Sequence, residues 1–383
     1  MSGPLEDLRV VELVGIGPCP FAAMVLADLG ADVLRVERPS AVPETAPSGP
    51  YTDPLHRGKR SIGVDLKQPS GVALVLDLAE RADAVLEGFR PGVTERLGVG
   101  PEECRARNPR LVYGRMTGWG QCGPLASAVG HDIDYIAVSG ALDPIGRSGD
   151  RPVPPLNLLG DFAGGGMLLA LGVVSAVLAA QRSGEGQVVD AAMVDGAALL
   201  TTMIWGFRAV GFWKDERGTN LLDTGAPFYE VYECADGRHV AVGALEPDFY
   251  AALLEVMGLA PGELPPQMDR EQWPATKERF AQVFRRKSRD EWVEAAEGTD
   301  ACIAPVLAMG EVADDPHNKA RGTFIEVGGM IQPGPAPRFD RTPAGLPSPP
   351  LWPGQHGVDS LRSWGFDETQ IAALCEDGAL RLC

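Results

Sequence analysis

Positive charge is scarce in this chain: 34 Lys and Arg stand against 52 Asp and Glu, a formal net charge of −18 over 383 residues. So acidic a surface argues against nucleic acid or an anionic membrane as partner, and any anionic ligand must find a local basic patch. The seven cysteines, at 19, 104, 122, 234, 302, 375 and 383, contain no CxxC pair and no His/Cys spacing of a zinc site. No metal is expected, and scattered unpaired thiols fit a reducing, cytoplasmic location. The first residues carry neither a basic n-region nor an apolar h-region, which agrees with that expectation. The GxGxxG fingerprint is missing too. The turn Gly15-Ile16-Gly17-Pro18-Cys19-Pro20 has the wrong spacing, so no nicotinamide site is read there and no resident cofactor is expected. Only one long charge-free run occurs, residues 162–181, and it is long enough to cross a bilayer. Its three consecutive glycines, the preceding Asp161 and the lack of a second such span predict instead a core helix buried on all sides. No internal repeat is found.

What is present points to a two-domain α/β protein. A chain of 383 residues exceeds what one core usually organises, and 45% hydrophobic with 22% charged residues is ordinary globular composition. Strand-like runs at 8–13, 32–37, 61–66, 84–89 and 111–115 alternate with helical spacing at 21–29 and 72–81. That alternation predicts a Rossmann-like parallel sheet with its ligand at the carboxyl ends of the strands. Residues 39–54, with five prolines, read as an extended loop beside the ligand entrance. Helical pattern continues through 188–200 and 203–210. The texture then changes: 228–234 and 239–244 alternate about Asp236-Gly237, a hairpin signal, and helices follow at 248–258, 274–286 and 288–297. The expected plan is a large α/β domain over 1–200, completed by 335–383, and a small α+β domain over 226–325. Residues 201–225 and 326–350 are linkers in this plan, the proline-rich 333–353 forms a stiff return, and a last amphipathic helix spans 367–376.

Two segments thirty positions apart carry the chemistry: Gly130-His131-Asp132-Ile133-Asp134-Tyr135 and Leu159-Gly160-Asp161-Phe162. Imidazole is the side chain best poised to exchange protons near neutrality, although a lone histidine is more often a satisfied core residue. Asp161 reads equally as a plain helix N-cap or as a second base at the mouth of a helix. The following Gly164-Gly165-Gly166 weakens a helix and suggests that something approaches its backbone closely. Glu246 reads as a helix-start carboxylate, or as the group that orients His131. Arg38, Arg57, Lys59, Arg60, Lys67, Arg90 and Arg96 cluster in the first sheet, with Arg38 and Arg90 at strand ends, a pattern suited to a phosphorylated nucleotide ligand.

These segments resemble the family III CoA-transferase superfamily and, within it, the α-methylacyl-CoA racemases. The likeness is carried by Leu8-Arg9-Val10-Val11-Glu12-Leu13, Asp28-Leu29-Gly30-Ala31-Asp32-Val33, Arg90-Pro91-Gly92-Val93, Thr117-Gly118-Trp119-Gly120-Gln121, Gly130-His131-Asp132, Leu159-Gly160-Asp161 and Gly186-Gln187-Val188-Val189-Asp190. The resemblance implies an interlocked homodimer acting on acyl-CoA thioesters, with coenzyme A as part of the substrate. It implies that His131 and Asp161 form an acid/base pair and that Glu246 bonds to His131. It also implies that Arg38, Val64, Asp65, Leu66, Lys67, Gly88, Phe89, Arg90, Arg96, Gly130, Asp132 and Tyr135 hold coenzyme A. The expected reaction is interconversion of (R)- and (S)-2-methylacyl-CoA through an enolate, with amides at the start of the 162–181 helix holding the developing oxyanion. The alternative is CoA transfer with Asp161 as nucleophile.

Overall fold

A computed structural model describes residues 2–45 and 47–383. They form two compact units: described residues 2–139, 156–200 and 316–383, and residues 140–155 with 201–315. In the first unit, β1 (Arg9–Leu13), β2 (Asp32–Glu37), β3 (Arg60–Val64), β4 (Ala84–Glu87), β5 (Val112–Thr117) and β6 (Val188–Ala192) pair in parallel in the order β3-β2-β1-β4-β5-β6. The short strand Leu380–Arg381 adds antiparallel to β3. Strands β1 to β5 are almost wholly buried. That burial on both faces is what a covered parallel sheet requires, and it extends to the charged Glu12, Arg35, Glu37, Glu87 and Arg115 within the strands. Chain order reverses between β1 and β4, which opens a crevice at their carboxyl ends.

Proline opens the helices Pro18–Asp28 and Pro69–Arg81, where its missing N–H is lost without penalty. In the second of these Gly71, Leu74, Val75, Leu78 and Ala79 form the buried stripe. The second unit holds an antiparallel sheet, Tyr229–Glu233 with His239–Gly243 and Ile303–Pro305, covered by helices Pro247–Met257, Trp273–Phe284 and Arg289–Ala296. The hairpin turns at Gly237, φ +73°.

The structure departs from the expected plan in several places. Residues 188–192 are strand β6, and the helix begins only at Met193. Residues 140–155 belong to the second unit, because Arg217 donates to the Asp143 and Asp150 carbonyls and Arg147 pairs with buried Glu230. Residues 201–225 belong there as well, organised by Asn220, whose backbone and side-chain N–H groups donate to the Asp223 carboxylate and whose side chain also donates to the Lys214 carbonyl. Residues 324–333 form a hairpin that Arg57 ties to the first unit through Gln332 (2.8 Å) and the Pro333 carbonyl (2.6 Å), with Asp28 taking its other nitrogens.

The apolar run is one continuous helix over Leu158–Ser183, π-helical through Leu158–Met167 and α-helical from Leu168–Ser183. Its most apolar window has a mean hydropathy of 2.1 and is 44% buried. The expectation of burial on all sides does not hold in the single chain: Leu169, Val173 and Val177 face the core, while Met167, Leu171 and Leu178 are exposed.

Candidate functional site

A cavity of ≈ 960 Å³ opens where the sheet reverses order. Gly17, Pro18 and Cys19 follow β1, Gly88 to Pro91 follow β4, and Met116 to Trp119 end β5; the rest of the wall comes from 126–138, Asp161 and Met193. His131 and Asp161 both line it. His131 is the N-cap of the short helix Asp132–Val138 and is exposed, and its backbone N–H donates to the Asp134 carboxylate (2.9 Å). Asp161 is half-buried one turn into the 158–183 helix, where Asn157 Nδ2 donates to its Oδ2 (3.1 Å).

Burial holds the Asp161 carboxyl above its ordinary range; the Asn157 hydrogen bond opposes this, the Asp132 charge adds to it, and His131 opposes it. Gly17 lies beside that carboxylate, and its φ of +64°, which L side chains rarely adopt, is what calls for glycine: a Cβ there would meet Asp161 Oδ2 at an ordinary contact distance of 3.4 Å. Proton affinity and position are thus both controlled by residues around Asp161.

Asp161 is not the N-cap of its helix, as the charge-free run suggested. The helix starts three residues earlier, and its amides at Gly160 (2.7 Å) and Asp161 (2.6 Å) donate to Asp132 Oδ1. Those two amides are therefore not free for an oxyanion. The glycines 164–166 are explained by protein rather than ligand. A Cβ would meet the Ala197 amide at 2.7 Å from Gly164, Met193 at 2.9 Å from Gly165, and Phe21 at 2.6 Å from Gly166. The wide turns thus nest between the helices Pro18–Asp28 and Met193–Leu200.

The residues expected at coenzyme A divide into two groups. Gly88, Phe89, Arg90, Gly130 and Tyr135 line the same cavity as His131 and Asp161. Tyr135 braces that wall: its hydroxyl donates to the Gly130 carbonyl, and its ring meets Trp119 edge-on at 4.8 Å. Arg38, Val64, Asp65, Leu66, Lys67, Arg96 and Asp132 are not in the cavity wall. Arg38 follows β2, Val64–Lys67 end β3, and Arg96 lies in the turn Val93–Arg96 after β4. Val64 is a core side chain, while Asp65 closes its own turn by accepting from the Lys67 amide (3.0 Å). Arg38, Lys67, Arg90 and Arg96 are exposed at this edge of the sheet.

No described residue of 39–54 lines the cavity, contrary to the loop's expected place. Val42 is buried, and Tyr51 packs on His56 and Trp352 instead. Glu246 belongs to the second unit, as N-cap of the helix Pro247–Met257, and its side chain makes no capping hydrogen bond. The sequence reading missed Asn157 and the Gly17–Cys19 turn. The strand order points to the turn, since loops after the first and fourth strands flank the reversal; nothing in the local sequence points to Asn157.

A sheet of this order with an imidazole and a carboxyl group lining one cavity at its reversal defines an α/β enzyme-like site, and comparison with known proteins is specific. The CoA-transferase family III profile matches residues 5–357, and the chain belongs to that family. The alpha-methylacyl-CoA racemase of Mus musculus is 48% identical and that of Homo sapiens 47%, each over 97% of this chain and 96% of the relative. The crystal structure of a CAIB/BAIF family protein from Brucella suis superposes with a TM-score of 0.81 at 26% identity, covering 95% of this chain and all of that one.

Proposed function

We propose that this chain interconverts (R)- and (S)-2-methylacyl-CoA thioesters by 1,1-proton transfer. The observation that carries the reading is the convergence of His131 and Asp161 on one cavity at the sheet reversal. From the S substrate, neutral His131 takes the α-proton, leaving an enolate and an imidazolium. Protonated Asp161 then delivers its proton to the opposite face, giving the R product and a carboxylate. The reverse direction uses Asp161 as base and His131 as acid. A raised Asp161 pKa favours the protonated form that the acid role requires. Glu246 is assigned to hold up the imidazolium. Exposed Arg38, Arg90 and Arg96 are assigned to the phosphates of coenzyme A, and the reaction needs no resident cofactor.

Relatives at 47–48% identity that bear the racemase name support this reading over CoA transfer. An interlocked homodimer completes it: a second copy would cover Met167, Leu171 and Leu178, exposed in the single chain. The test is incubation with a panel of 2-methylacyl-CoA thioesters in deuterated water. Both epimers gain α-deuterium, His131→Ala abolishes epimerisation, and Glu246→Gln alters the pH–rate profile while acyl-CoA binding persists. Full exchange by His131→Ala would remove the two-base mechanism, and CoA passing into a free carboxylic acid would favour transfer.

A further inference from the structure

We propose that Asp132 is a positioning residue that pins the helix start bearing Asp161 to the segment bearing His131, fixing where the two bases stand. The inference rests on the two-base reading above. Asp132 follows His131 directly in the chain, yet its side chain points inward and is only 5% exposed. Oδ1 accepts the amides of Gly160 (2.7 Å) and Asp161 (2.6 Å), twenty-eight and twenty-nine positions away. Oδ2 is buried with no hydrogen-bond partner, so neither oxygen is presented to a ligand. That geometry assigns Asp132 to the protein interior rather than to coenzyme A.

The fit at this joint is close. A Cβ on Gly160 would come within 2.6 Å of Asp132 Oδ1 and 2.9 Å of its Cγ, so a side chain at 160 would displace the carboxylate. Between the two segments the chain passes through residues 140–155, which belong to the other unit. Chain continuity therefore does not hold the bases in register, whereas one carboxylate receiving two amides does.

Asp132 also sets the charge around Asp161. The titratable groups acting on Asp161 from the 131–138 segment are His131 and Asp132, with the Tyr135 phenol coupled to it from the same helix. The helix Pro18–Asp28 has no acidic residue in its first turn, and Asp195, on the helix Met193–Leu200, is exposed. The Asp132 charge disfavours the Asp161 carboxylate, keeping a protonated form available as acid.

Asp132→Asn and Asp132→Ala separate these effects. The Asn variant keeps an oxygen to accept both amides but loses the charge: it should retain most of its turnover, with the Asp161 limb of the pH–rate profile displaced to lower pH. The Ala variant loses the joint. Its kcat should fall about 100-fold in both directions, the loss expected from a displacement on the order of 1 Å, with KM for the thioester unchanged. Should Ala fail to fold, Gly160→Ala, whose Cβ would come within 2.6 Å of Asp132 Oδ1, perturbs the same joint and should show the same loss in kcat with KM unchanged. Wild-type turnover in the Ala variant, an unmoved limb in the Asn variant, or a loss confined to KM would each overturn the proposal. Absence of α-deuterium incorporation by the wild-type protein would instead sink the two-base reading itself, a separate failure.

Discussion

Lys59→Met should be among the most destabilising single substitutions in the first unit. The Lys59 and Glu12 side chains are both 0% exposed and paired at 2.7 Å, and Lys59 Nζ also donates to the Pro20 carbonyl at 2.8 Å. Glu12 Oε1 has no partner of its own, so the ammonium is the hydrogen-bond donor that compensates this carboxylate. Removing one member of a buried pair typically costs about 3–5 kcal/mol, because the other charge is left uncompensated. Against a domain stability of roughly 5–15 kcal/mol, that is a large fraction of the total. Removing both charges, as Glu12→Gln with Lys59→Met, should restore most of the loss, since an apolar or neutral pair of similar volume is often close to neutral. Urea unfolding of the four proteins gives the cycle, and amide exchange on β1 and β3 localises it. A single-variant cost below about 1 kcal/mol, or a double variant no better than Lys59→Met, would refute the argument.

Glu87 offers a pH-dependent test. It is buried at the end of β4, accepts from the Phe89 amide (2.7 Å) and Arg115 Nε (2.9 Å), and burial pushes its carboxyl up to about 7. A raised carboxyl pKa means that the folded chain holds the proton more tightly. Its contribution to stability is therefore full below pH ~4.5 and is lost as pH rises to about 7, on the order of 3 kcal/mol in all. Glu87→Gln should flatten the fall of Tm across that window, and an unchanged slope would clear Glu87 of the effect. Arg90→Gln should raise KM for acyl-CoA about tenfold or more, as expected for a lost charge-assisted contact of about 1.5–3 kcal/mol, and should weaken the salt dependence of KM; unchanged kinetics would exclude the contact. Light scattering should give twice the chain mass, and a monomer at micromolar concentration would refute the dimer.

The elements legible in the sequence were those whose signal is local. Five strands of the parallel sheet announced themselves as apolar runs between helical spacings, and the Asp236-Gly237 hairpin lies where its turn residues put it. Strand β6 was not legible, because Val188-Val189-Asp190-Ala191-Ala192 runs without a break into a helix and becomes a strand only by pairing with β5. The start of the 158–183 helix was hidden for the same reason: its amides are capped by a carboxylate from another helix, which no nearby residue reveals. Likewise 140–155 looks like ordinary loop sequence until Arg217 and Arg147 are seen to anchor it. At the site, His131 and Asp161 were legible as residue types in glycine-rich surroundings, whereas Asn157 matters only through its distance to Asp161 and Gly17 through its backbone angle.

The detour through residues 140–155 is spliced between the helix that His131 opens and the helix that carries Asp161. A cut within it need not separate the segment of His131 from that of Asp161, because departure and return points are joined by the Asp132 carboxylate and the amides of Gly160 and Asp161.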